Sequence, residues 1–257
     1  MELMDEINKS YVRQLLEKGE RLDKRGMLDY RSIEVKTSVI ETAEGSAWVK
    51  LGKTQVLVAI KFDLVKPFPD RPDEGVLSTS AELLPLASSM FEPGPPDENG
   101  IELARVVDRA IRSAEIIDMK SLYVEGDLAY GLYVDIYVLD YDGNLTDASS
   151  LAAMAALRNT KMPAYKDGAL DRSAPGKQLE LKGDALEVTF AKVGGHIFVD
   201  PVLTEERAMD ARLTIGVCGD RLCAMQKSGS GVFKRAEVEG MIDSAFAKYA
   251  ELRSRLR

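Results

Sequence analysis

The sequence is poor in the residues that most often build metal centres and covalent scaffolds. Of its 257 residues, one is histidine (His196) and two are cysteine (Cys218 and Cys223). A zinc site wants four ligands drawn largely from these types, so no metal is expected in this chain. His196 stands in "GGHIFVDP", where Gly194 and Gly195 mark a hairpin turn and no serine or cysteine motif points to it. It is read as structural rather than catalytic. The cysteines flank a tight turn in "VCGDRLCAM". With Asp220 and Arg221 as the turn pair they would face each other across two strands, close enough for a disulfide. In a reducing compartment two buried thiols are the expected state.

Long apolar runs are missing too. No stretch approaches a membrane span, and the opening "MELMDEINKSYVRQLLEKGERLDKRG" is charged and amphipathic, without the apolar middle of a signal peptide. The expected address is the cytoplasm, with no membrane partner. Positive charge is in deficit: 34 Lys and Arg against 42 Asp and Glu give a net charge of −8. Repulsion argues against a polyanion held over the whole surface. Nucleic acid would have to be held locally, or jointly with a partner that brings positive charge. Low-complexity segments and convincing sequence repeats are also absent.

What is present alternates in an orderly way. An opening helix over about residues 3–18 precedes three strands, "YRSIEVKTSVI", "GSAWVKLG" and "TQVLVAIKFDLV", read as a meander. After the proline-rich loop "KPFPDRPDEG", "VLSTSAELLPLA" resumes as a strand, and a helix is predicted from Ile101 to Ile117. "YGLYVDIYVLD" is a strand leading to a buried helix in "DASSLAAMAALRNT", with Asp147 or Thr146 as its N-cap. The polar stretch over residues 163–184 reads as a seam, after which four more strands and a helix from Lys234 to Arg255 repeat the plan. Each half is a sheet closed by helices, so the fold class is α+β.

Within the 101–117 helix, "ARVVDRAIRSAE" places Arg105, Arg109 and Arg112 within roughly 60° of one another, opposite Leu103, Val106, Val107, Ala110, Ile111 and Ala114. Composition alone favours a solvated face, with Asp108 pairing Arg112 one turn on. The functional alternative is a phosphate ladder, since arginine offers paired planar donors and the row spans roughly 10 Å. "KSGSGVFKR" is a weaker anion-loop candidate, with a plain strand-to-helix turn favoured. Glu205, Glu206 and Asp210 in "LTEERAMDARL" have Arg207 and Arg212 interleaved, which favours a salt-bridged surface over a cation site.

Several blocks together resemble a family. "RLDKRGMLDYRSIEV", "GSAWVKLGKTQVLVAI", "IELARVVDRAIRSAEIIDMKSL", "VDIYVLDYDGNLTDASSLAAMAAL" and "VDPVLTEERAMDARLTIGV" occur in the order found in RNase PH-type subunits. The resemblance runs over about residues 5–250 and is nearest to the non-catalytic ring subunit of the archaeal exosome. It implies the RNase PH-type fold, akin to domain 2 of ribosomal protein S5, in two similar halves: residues 1–165 with the N-terminal helix, and residues 166–257. It implies a role in 3′-to-5′ phosphorolytic RNA degradation and tailing. The implied partners are a catalytic RNase PH-type subunit in an alternating hexameric ring, RNA-binding cap subunits and single-stranded RNA.

The same resemblance bears on the chemistry. Active members carry two acidic residues six positions apart, which fall here on Glu206 and Arg212. A guanidinium repels a metal ion and does not deprotonate at neutral pH. Active members also hold the attacking phosphate with an arginine in a Gly-Thr-Arg-Thr-Ala-like segment; the matching "GNLTDA" has Thr146 in that place and Asp147 beside it. No catalytic residue is therefore expected here. Phosphate and Mg²⁺ are expected at the catalytic partner, and this chain would shape the partner's site. Arg105 and Arg109, with Arg112 as a weaker third, match the arginines that hold RNA in the family, and beside that resemblance RNA contact outweighs the solvated face. The alternative is an independently active phosphorolytic 3′–5′ exoribonuclease.

Overall fold

The structure is a computed structural model that describes residues 2–173 and 176–256, with side chains from residue 7 onward. Ala174 and Pro175, within the stretch read as a seam, lie outside the described residues. Helix α1 (Glu2–Glu17) opens the chain, and β1 (Ile33–Thr37), β2 (Gly45–Leu51) and β3 (Thr54–Val65) form the expected antiparallel meander. Next come β4 (Val76–Leu83), α2 (Glu98–Ser113), the short β5 (Tyr123–Glu125) and the long β6 (Leu128–Asp140). Strand β6 inserts between β3 and β4, antiparallel to the first and parallel to the second, giving the order β1-β2-β3-β6-β4. Parallel neighbours need a crossover, and α2 is carried on it.

Helix α3 (Leu145–Arg158) follows, then four short strands: β7 (Lys161–Met162), β8 (Ala164–Lys166), β9 (Ala169–Asp171) and β10 (Lys177–Gln178). They pair as β7 with β10 and β8 with β9, so the polar stretch carries local ladders. The second sheet contains β11 (Ala185–Val193), β12 (His196–Val199), β13 (Ala211–Cys218) and β14 (Arg221–Ser228) in the order β12-β11-β13-β14. The short α4 (Leu203–Ala208) lies between β12 and β13, and α5 (Arg235–Arg253) closes the sheet against β11 and β13.

Helix α3 sits at the centre. Every residue from Thr146 to Leu157 is buried, because β2 and β3 pack on one side and β11 on the other. A helix with small or apolar residues on every side from Leu151 to Leu157 belongs inside, and its alanines allow both sheets to approach closely. One continuous core results, running from Val49 and Val58 through Leu151 and Met154 to Val188 and Ile215. Helix α1, expected with the first half, packs on the second: Val12 and Leu16 bury against Ala191, Val193, Phe198 and Ala208. Each of these two side chains contributes about 1.5–3 kcal/mol by leaving water.

Local chemistry corrects three expectations. Helix α2 starts at Glu98 because the Asp97 side chain caps Gly100 N at 2.8 Å, and it ends before Glu115, whose φ of 51° is left-handed. Neither Asp147 nor Thr146 caps α3: Asn144 holds that position, and Asp147 is turned inward. The β13–β14 turn is made by Gly219 and Asp220, so Cys218 faces Arg221 and not Cys223, and an irregularity at Gly216 and Val217 leaves Cys223 with no residue directly opposite. Both thiols are free, with Cys218 buried and Cys223 half-buried rather than fully enclosed. Burial pushes the Cys223 pKa up to about 12, which leaves it a poor nucleophile.

Candidate nucleic-acid interface

Helix α2 is held by its apolar face. Leu103, Val106, Val107, Ala110 and Ile111 are buried against β4, α3 and the second sheet, and this orientation leaves Arg105, Arg109 and Arg112 exposed. The three arginines are not equivalent. Arg112 donates twice to the Asp108 carboxylate at 2.9 Å and once to Leu77 O at 3.0 Å, so its guanidinium is engaged by its own chain. Arg105 and Arg109 make no hydrogen bond or ion pair among the described residues. Open grooves flank the pair. One, of about 460 Å³, includes Ser78, Thr79 and Asp108; the other, of about 390 Å³, includes Glu98, Ile101, Glu102 and Gln226.

The N-terminal end of the same helix reaches Glu206 and Arg212, the positions that the resemblance matches to the acidic pair of active members. Arg212, at the start of β13, donates to Glu206 at 3.1 Å and to Glu102 of α2 at 3.1 Å. Glu102 also accepts from Ser228 Oγ at 2.7 Å. Glu206 further accepts from Asn144 N at 3.0 Å and Tyr141 Oη at 3.3 Å. Burial, and then the Glu206 charge, push the Tyr141 phenol far above its ordinary range, which keeps it a neutral donor. Thr146 is buried and lines a cavity of about 150 Å³ with Tyr141, Phe91, Glu102, Glu206 and Arg212. Phe91 and Tyr141 stack at 5.3 Å, closing part of its wall.

These residues do not fit a divalent cation. The carboxylates of Glu102 and Glu206 both face the Arg212 guanidinium, and no cluster of metal-ligating side chains occurs among the described residues. Nor does the position matched to the phosphate-holding arginine supply a cation. Thr146 brings no charge, and the Asn144 amide at the head of α3 already donates to Glu206.

Behind this centre lies an arginine network that the sequence did not reveal. Arg31 donates to Asp142 O at 2.7 Å, Gly143 O at 3.1 Å and Asp200 Oδ1 at 2.7 Å, fixing the turn that leads into α3. Gly143 has a φ of 87°, and a Cβ there would stand 2.5 Å from Pro201 O, so glycine is required. Burial works to raise the Asp200 carboxyl, but the hydrogen bonds and charge of Arg31 outweigh it and hold the pKa below the usual range. Glu205, expected on a salt-bridged surface, is instead fully buried. It pairs with Arg21 at 2.6 Å, not with Arg207, and Arg21 also lies 4.6 Å over the Phe198 ring. Asp210 pairs with Lys9 and Arg13.

Two carboxyl groups between α3 and β11 are less well served. Asp147 accepts from Tyr30 Oη, Asn144 Nδ2 and Thr189 N; burial nevertheless raises its pKa to about 6. Glu187 is buried with neither oxygen hydrogen-bonded among the described residues. Burial, then the Asp147 charge, push its pKa well above the usual range. The "KSGSGVFKR" loop is a strand-to-helix turn: Gly231 N donates to Asp210 O and Lys234 N to Glu237, so these amides are already used. His196 opens β12 opposite Val193, across the Gly194–Gly195 turn.

Comparison with known proteins is consistent across sequence and structure. The RNase PH family, described as a 3′ exoribonuclease family, matches over residues 29–163 with its domain 1 and over residues 186–248 with its domain 2. The exosome complex component Rrp42 of Thermococcus kodakarensis is 48% identical, covering 100% of this chain and 96% of the relative. A chain of a solved Archaeoglobus fulgidus exosome with RNA bound to the active site is similar at a TM-score of 0.93 and 44% identity, covering 99% of this chain and 100% of that one. A chain of an archaeal exosome core gives 0.89 at 41% identity, covering 99% and 98%.

Proposed function

Given that the chain belongs to the RNase PH family of 3′ exoribonucleases, we propose that it is the non-catalytic ring subunit of an archaeal-type exosome core, acting in 3′-to-5′ phosphorolytic RNA degradation and tailing. The observation that carries this is Arg212. It stands where active members place an acidic residue, and its guanidinium is held between Glu102 and Glu206 at 3.1 Å each. The mixed charge of that cluster neither gathers Mg²⁺ nor admits phosphate. No observation at the site favours an independently active exoribonuclease.

The ring partner is a catalytic RNase PH-type subunit alternating with this one in a hexamer, with RNA-binding caps above. Phosphate and Mg²⁺ are used at the partner's site, and the assembly works in the cytoplasm. Single-stranded RNA is gripped through its phosphates by Arg105 and Arg109, whose guanidinium groups are uncommitted; Arg112, engaged by Asp108, has a minor part. The test is phosphorolysis before and after mixing. The purified chain, given Mg²⁺, phosphate and single-stranded RNA, should release no nucleoside diphosphates, and mixing with the catalytic subunit should produce a hetero-oligomer that does. Release by the isolated chain would overturn the proposal.

A further inference from the structure

Glu102 lies three residues before Arg105 and seven before Arg109, so all three share one face of α2. They also line one groove, together with Glu98. The Glu102 side chain is 39% exposed, so its carboxylate reaches the space a phosphate at Arg105 would enter. Left unpaired, it would oppose the arginines it stands beside. Its charged partner is Arg212, which arrives from β13 and is itself only 19% exposed. Arg212 is thus too withdrawn to serve as an open phosphate contact, yet placed to set the charge of the groove.

Resting on the assignment of α2 as the RNA grip, we propose that Arg212 is a positioning residue for RNA retention: by neutralising Glu102 it keeps the groove beside Arg105 and Arg109 attractive to phosphate. Charge counting shows the leverage. Glu102, Glu206 and Arg212 together carry one net negative charge; an acidic residue at position 212 would make it three. The exchange of a carboxylate for a guanidinium therefore does more than remove chemistry. It frees the neighbouring helix from a concentrated negative field.

The test is equilibrium binding of fluorescent single-stranded RNA to the ring assembled with the catalytic subunit, without phosphate, over a range of salt. Arg212→Gln should weaken binding about three- to tenfold at low salt, the gap closing as salt screens the groove. Glu102→Gln should bind equally or more tightly, and the double variant, with the cluster charge of the parent, should return to within about twofold of wild type. A purely mechanical tie between β13 and α2 predicts the opposite: Glu102→Gln would weaken binding, and the double variant would stay weak. Either of those results, or wild-type binding by an intact Arg212→Gln ring, overturns the proposal. Should Arg212→Gln fail to assemble, by mass, the Glu102→Gln result decides alone. Arg105→Ala/Arg109→Ala separates the two levels. If it weakens binding while Arg212→Gln does not, this inference alone falls; if it binds normally, the grip on α2 falls as well.

Discussion

Two sets of arginines divide the molecule. Arg21 and Arg31 point inward, each holding a fully buried carboxylate and backbone carbonyls at 2.6–3.1 Å. Arg105 and Arg109 point outward and hold nothing among the described residues. The first set has its desolvation offset by paired acids, and is structural for that reason. The second has its donors free, and donors free on a rigid helix are what a phosphate requires. In a chain with a net charge of −8, what matters is which cations the fold has already engaged.

The contrast breaks most visibly at the buried end. Arg21→Met leaves Glu205 charged and unpaired at zero exposure, and should cost about 3–5 kcal/mol. Denaturant unfolding should show a lower midpoint at unchanged slope, whereas Arg109→Ala should leave the midpoint where it is. Equal effects from the two would remove the distinction.

A smaller effect concerns buried acids without a cation. Glu187 and Asp147 have raised folded pKa values, so each contributes stability that is fully present below the unfolded carboxylate range and lost as pH rises through the folded value, about 6 for Asp147. Asp200, held low by Arg31, runs the other way: its contribution is lost as pH falls. Glu187→Gln should therefore be more stable than the parent at pH 8, by on the order of 1 kcal/mol, with the advantage shrinking toward pH 4. Thermal unfolding at both pH values checks this; a constant difference would exclude titration as its origin.

The smallest effect sharpens the comparison within α2 itself. Arg109→Ala in the assembled ring should weaken RNA binding and lower the log–log salt slope by about 0.7, the loss of one phosphate contact on a single strand. Arg112→Ala, whose donors already serve Asp108 and Leu77, should change affinity less than about twofold and leave the slope alone.

Much of the frame follows from local pattern. The meander and the apolar face of α2 obey periods of 2 and 3.6, and α3 is legible from its run of small apolar residues. What escaped were features with distant causes. Nothing local marks Glu102, because its partner lies 110 residues away. Nothing near Arg21 and Arg31 in the chain marks their role, because Glu205 and Asp200 reach them only once β12 and α4 are in place. Asp147 had the residue type of a cap, but Tyr30 and Thr189 draw it inward. Helix α4, only six residues long, gave too little period to register. The cysteine register failed on the turn, which uses Gly219 and Asp220 rather than Asp220 and Arg221 and so shifts the pairing by one residue on each strand.

The burial of α3 on both sides has a mechanical consequence. Neither sheet can swing away without stripping that helix of its cover, so among the described residues the two sheets are tied through one shared helix. On the proposed role of α2, a pull on RNA held there would be borne by both sheets through the helix they share.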